Sequence, residues 1–134
     1  MKNVIRCGLV ILGLACLPAT VAAQDPPVLG DRTSPLNPLG GEGNVGISNA
    51  VLREQPEVRV LRVVVEAGGV RAMHAHSDVQ FHLFMPISAP MELRLEDGAI
   101  EVQPWHPYYL VGDTQHGFHN GGGEAVEVIE VFVR

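Results

Sequence analysis

The residues best suited to chemistry in this chain are its six histidines. They are His74, His76, His82, His106, His116 and His119. The imidazole side chain is the commonest transition-metal ligand and the usual proton carrier near neutral pH. Only one residue separates His74 from His76, so on a β-strand both imidazoles point to the same face. Such a pair could bind one side of a metal ion; taken alone, it is as readily explained as two surface histidines.

The segments that must position these histidines have the pattern of short β-strands. β-branched and aromatic residues are frequent in them, and turns rich in Gly, Pro, Asp and Asn separate them. Met91, Leu93 and Leu95 alternate with charged residues, which predicts one face on a core and one in water. We therefore expect an all-β sandwich or small barrel. The expected strands span residues 58–66, 70–76, 79–85, 91–95, 99–103, 108–111, 115–118 and 125–133.

The spacing of two groups of residues resembles the two sequence motifs of the cupin superfamily. The first motif runs from a glycine to a His-x-His pair and a glutamate, and the second from a glycine turn to a histidine and an asparagine. The matching positions are Gly68, His74, His76, Gln80, His116 and Asn120. Gln80 replaces the usual glutamate, and Ile87 replaces the glycine that closes the first motif. The resemblance implies a double-stranded β-helix, the jelly-roll cupin barrel.

The resemblance also implies that His74, His76 and His116 bind a divalent metal ion, with Gln80 as a weak fourth ligand. Three neutral imidazoles leave the charge of the ion uncompensated, so such a site favours an anionic or chelating small molecule. The usual facial site of non-haem iron includes a carboxylate, which the motif lacks here, so the ligand set does not select iron. Iron, zinc, manganese and nickel all remain candidates for the ion. The alternative is a metal-free cupin that keeps its histidines as polar groups of a pocket.

Four further residues are candidates for the pocket. His82 follows Gln80 by two residues, and we expect it to face the interior as an acid/base group or as a support for the ligands; a core imidazole bonded to a carbonyl is the alternative. Arg62 could hold a substrate carboxylate, although an exposed or dimer-contact arginine is the simpler interpretation. Phe81 and Tyr109 are expected at the barrel mouth, with an ordinary core position as the alternative.

The first 23 residues are predicted to be a secretory signal peptide. Lys2 and Arg6 precede a short apolar run, and Val21-Ala22-Ala23 supplies the small residues of a cleavage site. Cleavage after Ala23 would remove both cysteines and limit membrane contact to the export step. Residues 24–47 are rich in Pro and Gly and are expected to form a flexible arm, or to lie along their own domain or a partner subunit. The cupin domain is expected to span residues 48–134.

The charge and the resemblance together define the expected function. Nine basic and 15 acidic residues give a net charge of −6, the wrong sign for binding the nucleic-acid backbone. We expect an exported protein, periplasmic or extracellular, that acts as a metal-dependent enzyme on a small polar or anionic molecule. A non-catalytic protein that binds a metal or small ligand is the alternative, and a purely structural module is a third. Strands with apolar residues on both faces, together with the resemblance to small cupins, favour a homodimer.

Overall fold

The structure is a computed structural model that describes residues 34–134. The predicted signal peptide and the first part of the predicted arm lie outside the described residues. The described part of the chain contains no helix, and hence none long and apolar enough to cross a membrane. Its strands are β1 (Asn37–Pro38), β2 (Val45–Glu54), β3 (Val58–His74), β4 (Phe81–Pro86), β5 (Met91–Leu95), β6 (Gly98–Val102), β7 (Tyr108–Val111), β8 (His116–His119) and β9 (Val126–Val133).

All strand pairs are antiparallel and belong to one sheet that curls into a nearly closed barrel. Along the sheet the strand order is β6-β5-β8-β3-β9-β4-β7, while β2 pairs with β3 and β1 with β2. Apart from the consecutive pairs β1–β2, β2–β3 and β5–β6, neighbours in the sheet are far apart in the chain, so the sheet is held largely by long-range pairing. The expected all-β barrel is confirmed.

The strand β3 connects the two halves of the barrel. Its residues 58–65 pair with β9, and its residues 70–74 pair with β8. The sequence predicts two strands separated by a turn at Gly68-Gly69, whereas the chain passes through this point as one bent strand. Gly68 adopts a φ of +70°, and a side chain at Gly69 would come within 2.7 Å of the Cγ1 atom of Val65. Two glycines thus permit the bend that brings His74 beside β8.

The core fills the barrel from alternate positions of its strands. On β9 the buried positions are Val126, Val128, Glu130 and Phe132, and the residues between them are partly exposed. The apolar members of the core cluster are Ile47, Leu61, Val63, Val65, Phe84, Met91, Leu93, Val102, Leu110, Phe118, Val126, Val128 and Phe132. An interior this apolar makes the few polar groups inside it conspicuous, because a buried polar atom needs a partner.

Paired structure begins before residue 48, where the sequence analysis starts the domain. β1 pairs with β2, Ile47 belongs to the buried core, and Leu39 packs against that core. The Leu39 amide donates a hydrogen bond to the Ile47 carbonyl at 2.9 Å. Residues 37–47 therefore lie along their own domain, which was the second of the arrangements considered for the Pro/Gly-rich stretch.

Asn120, which follows β8, connects the loop between β8 and β9 to strand β3. Its side chain is 1% exposed, and its Nδ2 donates to the carbonyls of Val65, Glu66 and Glu124 at 2.7–3.0 Å. Its Oδ1 accepts from the amide of Gly122 at 2.9 Å. Asparagine at this position thus satisfies backbone groups where the bend of β3 leaves them without strand partners.

We expect Asn120→Ala to lower the free energy of unfolding by about 2–4 kcal/mol, because it strands several buried backbone groups. Urea denaturation followed by circular dichroism measures this. Gln103→Ala is the matched control, since Gln103 is exposed and its side chain bonds the exposed Glu101. Equal stability of the two variants would contradict this role of Asn120.

Candidate metal centre

Three histidines come together where β3 ends and β8 begins. His74 is the last residue of β3, His76 follows it, and His116 is the first residue of β8. The register of the two strands sets His74 opposite His116. The ligand nitrogens of the three side chains all lie within 4.8 Å of one another. The structure therefore brings together the three histidines that the cupin motifs identify.

Backbone carbonyls orient two of these rings. The Nδ1 atoms of His74 and His116 lie 2.9 Å from the Ala72 carbonyl and 2.8 Å from the Thr114 carbonyl. A carbonyl oxygen only accepts, so each Nδ1 carries the proton and each Nε2 keeps its lone pair. An imidazole held in this way is prepared to bind a metal through Nε2.

Burial keeps the three imidazoles neutral. It lowers the pKa of His74 to about 4, against the opposing bond to Ala72, and nearby positive groups that include Arg71 lower it further. It also lowers the pKa of His76 to about 4, and that of His116 in the same direction. Since only the unprotonated ring binds metal, these side chains remain competent ligands well below neutral pH.

Several buried polar atoms in this region have no hydrogen-bond partner in the described part of the chain. They are Nε2 of His76, Nε2 of His116, both ring nitrogens of His82, and Oε1 of Glu130. Unsatisfied buried atoms are costly and rare, and an ion is one of the groups that satisfies them. Neutral imidazole nitrogens converging inside an apolar barrel fit a divalent transition metal by their chemistry.

His82 and Glu130 form a buried pair beside the three histidines. They are 1% and 6% exposed, and His82 Nε2 lies 3.4 Å from Glu130 Oε1, a contact too long for a strong hydrogen bond. The His82 ring is centred 5.0 Å from that of His116 and 5.3 Å from that of His76, and it stacks on Phe132. His82 thus faces the interior, as the sequence analysis expects.

Glu130 was not among the residues singled out from the sequence. Burial raises the pKa of its carboxyl, but the contact with His82 outweighs this, so the net pKa is lowered. The sequence feature that could have identified Glu130 is the alternation of β9. Glu130 is an acidic residue in the series of inward positions that Val126, Val128 and Phe132 otherwise fill.

Gln80 lies away from the histidine group. It is exposed, and its Nε2 donates to the Arg134 carbonyl at 3.2 Å. Strand β4 begins at Phe81, so strand alternation does not extend back from His82 to Gln80. His82 is therefore the residue that enters the interior here, while the Gln80 side chain is exposed.

The other three pocket candidates lie on the outer face of the sheet. Arg62 pairs with Glu127 at 2.8 Å, and the Phe81 ring stacks on that of Tyr109 with centroids 5.1 Å apart. Arg59 and Arg71, not Arg62, are the β3 arginines that line the pocket. Valines occupy both faces of β3, so the sequence pattern did not distinguish the inner face from the outer one.

A pocket of about 190 Å³ opens beside the histidines. It is lined by Leu39, Asn49, Arg59, Leu61, Val63, Arg71, His74, His76, Asp78, Val79, Glu130, Phe132 and Arg134. Its lining combines apolar side chains with charged groups and imidazoles. Its volume suits a ligand little larger than benzene, for which a cavity of about 150 Å³ suffices.

Comparison with solved structures decides the fold. The cupin domain from Bordetella pertussis Tohama I has a TM-score of 0.58 to this chain at 20% identity, over 70% of this chain and 99% of its own. The chain has the cupin fold. The polyketide cyclase RemF from Streptomyces resistomycificus gives a TM-score of 0.66 at 20% identity, over 75% and 74%. KdgF from Halomonas sp. gives 0.58 at 18% identity, over 66% and 80%.

No family model and no curated protein matches the sequence. At identities of 20% or less, the structural likeness establishes the jelly-roll cupin barrel and leaves its chemistry to the site. In this cupin barrel the histidine group lies inside, next to the pocket, where β3 ends and β8 begins.

Proposed function

We propose that this protein is a metal-binding cupin that works as a metal-dependent enzyme on a small polar or anionic molecule. The convergence of His74, His76 and His116 beside a small pocket carries this proposal. A divalent ion bound by them would supply Lewis-acid or redox chemistry to a molecule in the pocket. Iron would direct the proposal to dioxygen chemistry, and zinc, manganese or nickel to isomerase, lyase or hydrolase chemistry.

The remaining polar residues of the interior have roles compatible with catalysis. Glu130 faces Nε2 of His82, which favours the tautomer with the proton on that atom and leaves Nδ1 as an acceptor. His82 would then hold or transfer a proton next to the ligand. The polyketide cyclase RemF, with the same fold, supports an enzyme by analogy alone.

A non-catalytic protein that binds a metal or small ligand is the second candidate. It is favoured by the ligand group itself, in which the described residues place three imidazoles and no carboxylate. Such a protein would use the same pocket to retain its ligand without turnover.

Metal binding is tested by elemental analysis of the protein purified without chelators. We expect one divalent ion per chain, lost in His116→Ala and retained in His106→Ala. His106 is the matched control because it is exposed and its ring contacts the Pro104 carbonyl, away from the three ligands. Circular dichroism confirms that the variants fold.

A wild-type protein that takes up no metal, even after incubation with iron, zinc, manganese or nickel salts, would refute the proposal. Retention of metal by folded His116→Ala would refute the assigned ligands. The identity of the ion then selects among the reaction classes named above.

His82 is proposed to act beside the metal ligands. Its removal leaves Glu130 buried without its contact and frees space against the rings of His76 and His116. Loss of such a neighbour typically lowers metal affinity or activity by about 10–100-fold, and we expect His82→Ala to do so in a competitive metal titration. His119→Ala is the control, since His119 contacts Glu92. Equal affinities of the two variants would contradict this role.

Export remains a proposal based on the amino-terminal sequence. Residues 1–23 combine basic residues, a short apolar run and a small-residue cleavage site. A periplasmic or extracellular location is the corresponding expectation.

A homodimer is proposed through the outer face of β4 and β7. Tyr109 and Val111 are 55% and 60% exposed there, next to Phe81, and β7 ends the strand order of the sheet. A second copy would cover these apolar side chains and the open strand edge. We expect light scattering to give the dimer mass, and Val111→Glu to give the monomer mass. A monomeric wild type would overturn this proposal.

A further inference from the structure

Three arginines line the pocket, and two of them share one carboxylate. Arg59 Nε lies 3.1 Å from Glu54 Oε2, and Arg134 Nη2 lies 2.8 Å from Glu54 Oε1. Arg134 also donates to the Gln55 carbonyl at 3.4 Å. The single carboxylate of Glu54 thus pairs with both guanidinium groups and offsets one of their two positive charges.

Arg71, on the inner side of β3, is held in a different way. Its Nη1 donates to Asn44 Oδ1 at 3.0 Å, and the same oxygen accepts from the Ala72 amide at 3.0 Å. In the described part of the chain no carboxylate oxygen lies within 4.0 Å of its guanidinium. A neutral amide thus orients Arg71 without cancelling its charge, and most of its five N–H donors are left for another partner.

Burial lowers the pKa of Arg71, and the charge of Glu130 opposes this lowering without forming a direct ion pair with the guanidinium. Its positive charge acts on His74, His76 and His116, and contributes to lowering the pKa of each. Of the acidic residues that line the pocket, Glu130 faces His82 and Asp78 is exposed. A metal held by neutral histidines would add further positive charge. An anion in the pocket would then be attracted by both Arg71 and the metal.

We propose that Arg71 anchors a carboxylate of a small organic acid in the pocket. This inference rests on the proposed function, of which it names the substrate class. A planar guanidinium suits a carboxylate because two parallel N–H donors match its two oxygens. The volume of about 190 Å³ limits the acid to roughly six to nine non-hydrogen atoms.

The chain before β2 takes part in this site. Asn44 orients Arg71 through its side-chain oxygen, and Leu39 lines the same pocket. Asn44 is itself held by a hydrogen bond from its Nδ2 to the Gly40 carbonyl at 2.7 Å. Leu39 therefore lines the pocket directly, and Asn44 contributes to it through Arg71.

The test uses malonate, a dicarboxylate of suitable size, and its uncharged counterpart malonamide. Calorimetric titrations are run on the full protein, both zinc-loaded and metal-free, for wild type, Arg71→Gln, Arg71→Lys and Arg94→Gln. Arg94 is the matched control, because it is an exposed arginine paired with Glu92 on the outside of β5. Metal content is measured in every sample.

We expect wild type to bind malonate in preference to malonamide. Arg71→Gln should weaken malonate binding about ten-fold or more, because a charged hydrogen-bond donor is lost. The malonate affinity of Arg71→Lys should fall between those of wild type and Arg71→Gln. The malonate affinity of Arg94→Gln should match that of wild type. Metal content should be the same in all four proteins.

Malonate affinity unchanged in Arg71→Gln, an equal loss in Arg94→Gln, or no preference over malonamide would each overturn the inference. A wild type that holds no metal would overturn the proposed function alone, since the metal-free titrations still compare the arginine variants. If Arg71→Gln fails to fold, Asn44→Ala replaces it in the test. In Asn44→Ala the Arg71 guanidinium keeps its charge but loses the hydrogen bond that orients it. A malonate affinity unchanged from wild type would then count against Arg71 as the anchor.

Discussion

The antiparallel register of β3 and β8 is the constraint on which the site depends. It sets His74 opposite His116, and the carbonyls of Ala72 and Thr114 then fix both rings with Nε2 toward the interior. The register holds because β3 bends at Gly68-Gly69 and changes partner from β9 to β8. Asn120 satisfies the backbone at this bend, so the same local structure supports the barrel and the histidines.

The interior combines two requirements that oppose each other. Apolar packing on alternate strand positions stabilises the barrel, while imidazoles and a carboxylate in that interior lose their hydration. Neutral histidines reduce this cost, and the contact with His82 outweighs burial and lowers the pKa of Glu130. The Nε2 atoms of His76 and His116 that lack partners belong to the group of three histidines, where a bound ion would satisfy them.

Much of the fold was predictable from the sequence because strand signals are local. Alternation in residues 91–95 and the valine-rich segments gave correct strands, and the motif spacing identified His74, His76 and His116 as a group. The positions of Gln80 and Arg62 were harder to predict. Gln80 precedes a strand whose start has no clear marker, and Arg62 lies on a strand with valines on both faces. The ordered structure of residues 37–47 was not predicted as the main arrangement. Their Pro- and Gly-rich composition indicates flexibility, even though this part of the chain pairs with the sheet.

The sequence by itself determined the strands, the spacing of the histidines and the resemblance to cupins, because these depend on alternation and on distances along the chain. Only the tertiary structure decided that His82 meets Glu130, that Arg59 and Arg71 enter the pocket, and that Asn44 orients Arg71. Each of these contacts joins segments that are distant in sequence. Their geometry follows from strand register and from the bend in β3, which local patterns do not specify.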